Sequence, residues 1–97
     1  MKNLKILGYD YTVHYSPPRH EGGMNASGCS NAGYQVIVID PLLCKQEQES
    51  TLLHEILEVL NGHLELSLCH QTISSLEVGL YQVLKDNGVN IGVLLKK

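Results

Sequence analysis

The sequence predicts an α+β fold, in which a small antiparallel sheet of about three to four strands packs on two main helices. Short stretches of alternating apolar and polar residues fill much of the first 40 positions. Two longer stretches with apolar residues at helical spacing follow them. A chain of 97 residues is long enough for one domain, so we expect a single domain over residues 1–97.

The N-terminal third of the chain predicts strands and one long loop. Residues 2–15 predict a β-hairpin, because apolar residues alternate with polar ones on both sides of Gly8. Two prolines at 17 and 18 end the second strand, since proline has no N–H for a sheet ladder. Residues 16–33 contain many Gly, Ser and Asn residues and predict a long loop, with a short strand near 26–30.

The remaining elements follow from a dense β-branched run and two amphipathic stretches. Residues 34–39 (YQVIVI) predict the strongest strand. Apolar residues at helical spacing predict helices over about 46–61 and about 69–87, each followed by a glycine that favours helix termination. The tail, 89–97, fits either a short helix or an edge segment.

Composition excludes several classes of function. The formal net charge is −3, and the lysines cluster at the two ends, so we expect no nucleic-acid partner. No apolar run approaches the roughly 20 residues of a membrane span, and the first residues do not form a signal peptide. The three cysteines have no disulfide-type spacing, which favours a reducing cytoplasm. The sequence also permits a homo-oligomer, in which a second chain completes a substrate cleft.

One pentapeptide of the first predicted helix, residues 54–58, has the residue types and spacing of a metal-binding motif. His54 and Glu58 are four residues apart, so an imidazole nitrogen and a carboxylate oxygen lie on one side of the helix. Glu55 lies about 100° round the helix, where it can act as a general base without being a ligand. This is the logic of the His-Glu-x-x-His zinc motif, with Glu58 in place of the second His.

A catalytic zinc site needs a third protein ligand. His70, at the start of the second predicted helix, is our first choice, and Glu77 and His63 are the alternatives. The donor set His, Glu, His would also accept Mn²⁺ or Ni²⁺. A different interpretation needs no metal: the polar residues of the pentapeptide lie opposite the apolar face of the helix and would then form a plain solvated surface. That apolar face consists of Leu52, Leu53, Ile56 and Leu60.

Three stretches in a fixed order resemble a known family. They are IVID at 37–40, STLLHEI at 50–56 and GLYQVLKDN at 79–87. Together they resemble small phage- and prophage-encoded proteins related to the minimal gluzincin zinc metallopeptidases, over roughly residues 28–87. The resemblance implies a minimal zincin-like fold, with His54 as a metal ligand and Glu55 as the general base.

Two positions of this sequence depart from the family pattern. Glu58 stands where the family has its second His, and Ser74 aligns with the family's glutamate ligand on the second helix. His70 precedes Ser74 by one helical turn, so an imidazole and a carboxylate have exchanged helices.

The resemblance implies a zinc-dependent metallopeptidase or hydrolase in the host cytoplasm, with a peptide or protein as substrate. The strand over 34–39 would then align an extended peptide by edge addition. Two alternatives remain: a non-catalytic metal-binding phage accessory protein, and an interaction module without metal.

Overall fold

The computed structural model describes residues 3–17 and 27–95, and within them the predicted α+β fold is confirmed. The described residues form four strands and two helices, and a short 3₁₀ helix ends the described part of the chain. In chain order the elements are β1 (Asn3–Ile6), β2 (Tyr9–Tyr15), β3 (Gly28–Asn31), β4 (Val36–Ile39), α1 (Lys45–His63), α2 (His70–Asp86) and the 3₁₀ helix (Ile91–Leu95). The middle of the predicted 16–33 loop, residues 18–26, lies outside the described residues.

The sheet has the strand order β1-β2-β4-β3 and is mixed, where a wholly antiparallel sheet was expected. β1 pairs with β2, and β3 with β4, in antiparallel orientation, but β2 and β4 run parallel, with Val13 opposite Ile37. A parallel pair needs a long connection, and here that connection contains β3. β4 therefore lies inside the sheet between two partners, so its expected role in edge addition of a peptide is wrong. β3 is an outer strand.

The first hairpin turns where the sequence predicts. Leu7 and Gly8 connect β1 to β2 with φ angles of 52° and 84°. Two consecutive positive φ angles are typical of a type I′ turn, whose twist matches that of the flanking strands. Glycine adopts this backbone without cost, so the glycine at the second position determines where the hairpin reverses.

The core lies between the sheet and α1. Tyr11 of β2, Ile37 and Ile39 of β4 and Leu52 of α1 are fully buried. They occupy alternate positions on the strands and one face of the helix, as their periodicities require. α2 packs on α1, and Ile73 is its one fully buried residue within the described chain. Within the described residues, neither helix is long and apolar enough to cross a membrane.

The polar side of α1 is covered, so the interpretation of this side as a solvated surface is wrong. Glu55 is only 7% exposed, because β3 lies directly against the helix at this point. Gly28 makes this approach possible: a Cβ there would lie 2.7 Å from the carbonyl oxygen of Val38 and 2.8 Å from Cγ2 of Thr51. With α2 on the other side, β3 places polar side chains of α1 in a partly enclosed space.

Candidate metal centre

His54 and Glu58 face the same space one turn apart on α1. Nε2 of His54 lies 3.6 Å from Oε2 of Glu58. Both side chains are largely shielded from solvent, at 13% and 34% exposure. The spacing of four residues in the sequence therefore produces the expected pair of donor atoms.

His70 completes a group of three donors from the first turn of α2. Its Nδ1 lies 3.9 Å from Oε2 of Glu58, and its ring centroid lies 5.1 Å from that of His54. One donor atom from each of the three residues lies within 4.8 Å of the others. His70 is the exposed member, with 76% of its side chain open to solvent. It therefore has room to adjust toward an ion.

The connection between the helices determines where His70 lies. The side-chain amide of Asn61 donates to the carbonyl oxygen of Leu68 at 3.2 Å, and its oxygen accepts the Leu68 N–H at 2.9 Å. These two bonds attach the end of the loop to the last turn of α1. Because α2 begins two residues after Leu68, they hold its first turn beside Glu58.

Glu77 contacts His54, but through the nitrogen that faces away from the three-donor group. Nδ1 of His54 donates to Oε1 of Glu77 at 2.7 Å, and the hydroxyl of Ser50 donates to the other carboxylate oxygen. Donation from Nδ1 leaves the lone pair on Nε2, which is the nitrogen directed toward Glu58. Glu77 thus contacts the nitrogen of His54 opposite the three-donor group, and this arrangement would orient the imidazole if an ion bound there.

Glu55 lies next to this group under β3. Its burial raises the pKa of the Glu55 carboxyl above its ordinary value. Proximity to His54 and a hydrogen bond from the Ser30 side chain oppose that shift, whereas the carboxylates of Glu58 and Glu77 add to it. The carboxyl is therefore held in a dry, polar position where the proton affinity is increased, as in many general bases.

His63, the other histidine considered as a ligand, belongs to a separate cluster. Its Nε2 and the Tyr11 hydroxyl lie 2.8 Å apart and share a hydrogen bond. Its ring stacks on Tyr9, with centroids 4.9 Å apart. These contacts use the ring to attach the end of α1 to β2, and His63 is not part of the three-donor group.

The donor set has the chemistry that zinc prefers, and the exposed His70 side chain would have to move toward the other two donors to close the site. Bonds of about 2.0–2.1 Å in a tetrahedral arrangement place neighbouring donor atoms roughly 3.3 Å apart. The His54–Glu58 and Glu58–His70 separations of 3.6 and 3.9 Å exceed this spacing by about 0.3 and 0.6 Å, and all three donor atoms lie within 4.8 Å of one another. Two imidazoles and one carboxylate leave a fourth position for substrate or solvent, as in catalytic sites.

A hollow of about 370 Å³ adjoins the candidate centre between β3 and the end of α1. Its walls come from Ser30, Ala32, Glu58, Val59, Gly62 and His63. Small side chains and a glycine line much of it, so the hollow is open enough to hold a side chain of a bound peptide. It reaches the centre at Glu58.

Comparison of the chain with family models, curated proteins and solved structures finds no match. The resemblance to gluzincin peptidases accordingly stays a prediction, and the function must be argued from the site itself.

Sequence reasoning missed three residues of this region: Ser30, Ser50 and Asn61. Ser50 precedes His54 by one helical turn, so its place beside the imidazole was readable from the helical spacing. Ser30 and Asn61 had no such signal, because each acts on a residue that another element brings near it.

Proposed function

We propose that this chain is a metal-dependent hydrolase that acts on peptide bonds, with zinc held by His54, Glu58 and His70. The observation that carries the proposal is the convergence of these three donors within 4.8 Å, next to a buried carboxyl at Glu55. An acidic or polar helix surface would not by itself bring an imidazole from a second helix to the same point.

Zinc, when bound, supplies a Lewis acid that polarises a carbonyl and makes water more acidic. Within the chain, His54 provides Nε2 because Glu77 accepts the proton of Nδ1. Glu58 provides a negative charge, which makes the binding of a divalent cation at this site more favourable. His70 closes the site from the second helix, so ion binding would also link α1 to α2.

Glu55 is the general base of the proposed reaction. Its position under β3 shields the carboxylate from bulk water, and the Ser30 hydroxyl fixes the orientation of the carboxylate by a hydrogen bond. The raised pKa of Glu55 makes it a better proton acceptor than an exposed glutamate. The same carboxyl then returns the proton to the leaving amine.

The substrate would bind as an extended strand along β3. β3 is the last strand of the sheet within the described chain, so one edge of its backbone faces outward. Ser30 of β3 contacts Glu55, which places that edge beside the proposed base. A peptide paired with β3 would lie across the centre, with a side chain in the hollow lined by Ala32 and Gly62. We place the enzyme in a reducing cytoplasm, where the thiols of Cys44 and Cys69 persist.

Zinc titration of the purified protein tests the metal site. We expect one zinc ion per chain in the unchanged protein, and loss of that ion in His54→Ala and His70→Ala. His63→Gln is the matched control, since it removes a histidine of α1 that lies outside the centre, and it should bind zinc normally. Failure of the unchanged protein to bind zinc, Mn²⁺ or Ni²⁺ would contradict the proposal.

Hydrolysis is tested separately on zinc-loaded protein with a peptide library, read by mass spectrometry. Cleavage that disappears in Glu55→Gln, while zinc still binds, supports the catalytic role. The centre also joins α1 to α2, and α2 buries only Ile73, which suits the alternative of a purely structural metal. Stoichiometric zinc that raises the melting temperature, without any cleavage, would favour that alternative.

A further inference from the structure

A second hollow, of about 280 Å³, lies where α1, the end of α2 and the segment before the 3₁₀ helix meet. Glu49 of α1, Tyr81 and Lys85 of α2, and residues 88–91 line it. None of these residues belongs to the three-donor group of the candidate metal centre. We name it the C-terminal hollow, and it is separate from the proposed active site.

The Glu49 carboxylate gives the C-terminal hollow a buried negative charge with spare capacity for hydrogen bonds. Glu49 is only 8% exposed. Within residues 3–17 and 27–95, its one hydrogen-bond donor is the Tyr81 hydroxyl, which donates to Oε1 at 2.7 Å. An ionised carboxylate has about four acceptor sites, and a buried charge is costly unless it is paired. A cationic group in the hollow would therefore meet a carboxylate that still accepts hydrogen bonds.

The 3₁₀ helix fixes the position of this carboxylate without satisfying it. A Cβ on Gly92 would lie 2.7 Å from Oε2 of Glu49, so only a glycine allows the backbone to pass this close. The Gly92 N–H does not serve the carboxylate, because it donates to Oδ1 of Asn90 at 2.9 Å. Tyr81 and the 3₁₀ helix thus hold the Glu49 side chain between them, and its remaining acceptor sites stay open to a ligand.

Lys85 supplies a positive charge to the same hollow. Its Nζ lies 5.7 Å from the centroid of the Tyr81 ring, within the range of a cation–π contact. Among the described residues, no carboxylate lies at ion-pair distance from this ammonium group. Glu49 and Lys85 therefore contribute opposite charges that are not paired with each other, and each contacts Tyr81.

The two charges restrict the class of ligand. Lys85 would repel a ligand that carries only positive charge, and Glu49 would repel one that carries only negative charge. A zwitterion satisfies both. The volume is just below the roughly 300–1,000 Å³ of pockets for drug-sized ligands, so the zwitterion must be small. Val89 and the buried Ile91 add an apolar part to the lining, which suits an aliphatic side chain.

We propose that the C-terminal hollow binds a free aliphatic α-amino acid, with the ammonium group at Glu49 and the carboxylate at Lys85. The ammonium group has three donors for the open acceptor sites of Glu49. The flexible stem of Lys85 lets its Nζ reach the ligand carboxylate. Lys85 is exposed, so water screens this second contact and we expect a dissociation constant of about 1 mM.

Titration of ¹⁵N-labelled protein with L-leucine, followed by NMR, tests the proposal. We expect saturable shifts of the Gly88, Val89 and Gly92 amides as leucine rises to about 20 mM, well above the expected dissociation constant. Leucinamide keeps the ammonium group but lacks the carboxylate, and N-acetylleucine keeps the carboxylate but lacks the ammonium group. Each should bind at least about fivefold more weakly, because it loses one charged hydrogen bond. A chelator in the buffer excludes leucine bound through a metal ion.

Two variants assign the charges to their residues. Glu49→Gln keeps an acceptor for the Tyr81 hydroxyl and Lys85→Gln keeps most of the stem, and each should weaken leucine binding at least about fivefold. Glu65→Gln and Lys5→Gln are the matched controls: they remove the same charges outside the hollow and should leave binding unchanged. Circular dichroism verifies that every variant folds.

Three results would each overturn the proposal. The first is the absence of saturable shifts with leucine in the unchanged protein. The second is equal binding of leucinamide or N-acetylleucine, which would show that the hollow selects a single charge. The third is unchanged leucine binding in folded Glu49→Gln or Lys85→Gln.

Discussion

Removal of the Glu77 carboxylate is the sharpest test of how the candidate centre is organised. Glu77 accepts a hydrogen bond from Nδ1 of His54 at 2.7 Å, and it also accepts the hydroxyl of Ser50. The carboxylate is 19% exposed and the imidazole 13%, so solvent screens their interaction only weakly. Glu77→Ala frees the ring of His54 to rotate and to carry its proton on either nitrogen.

The expected loss of zinc affinity follows from the role of such partners. Removal of a group that orients a metal-binding histidine usually costs 10- to 100-fold in affinity, which is about 1.4–2.7 kcal/mol. Glu77→Gln should cost less, because its amide oxygen still accepts the Nδ1 proton. Glu65→Gln removes the same charge from an exposed residue of the α1–α2 loop, so it controls for the general change in electrostatic potential and should leave affinity unchanged.

Competition against a chromophoric zinc chelator measures these affinities, and ¹⁵N NMR of the metal-free protein reports the tautomer of His54. We expect the Nδ1-protonated tautomer in the unchanged protein and a mixture of tautomers in Glu77→Ala. Complete loss of zinc binding in Glu77→Ala would instead identify Glu77 as a ligand. Zinc affinity equal to that of the unchanged protein would refute the positioning role.

Two further predictions concern the packing that supports the centre. Gly28→Val should lower the free energy of unfolding in urea by about 1–3 kcal/mol, because the new side chain meets Thr51 and the neighbouring strand. Gly62→Ala is the control: a Cβ there meets nothing within 4 Å, so this variant should be neutral or slightly stabilising. Equal losses of stability in both variants would contradict the prediction. Burial and the hydrogen bond to Glu49 raise the pKa of Tyr81 from 10.0 to about 12. Because the folded-state pKa is the higher one, the stabilisation is complete below pH 10 and is lost as the pH rises toward 12. Tyr81→Phe should therefore be less stable at neutral pH but lose less stability than the unchanged protein between pH 10 and 12, and parallel pH profiles would argue against this link.

Local periodicity was enough to predict most elements and two of the three donors of the candidate centre. Apolar residues that repeat every two or every 3.6 positions predict the turn at Gly8, strand β4 and both helices. These repeats depend only on neighbours in the sequence. The same spacing puts His54 and Glu58 on one side of α1, whatever packs on the helix. That part of the centre was therefore a property of the sequence itself.

Tertiary packing decided the rest, because it depends on contacts between residues distant in the chain. Three side chains competed as the third ligand, and the approach of α2 to α1 separated them: His70 joins the donors, Glu77 takes the opposite nitrogen of His54, and His63 bonds to Tyr11. Periodicity marks the polar side of α1 but not what covers it, so the burial of Glu55 became evident only from the position of β3. The parallel pairing of β2 with β4 was equally hidden, since an alternating strand pattern is the same in either direction.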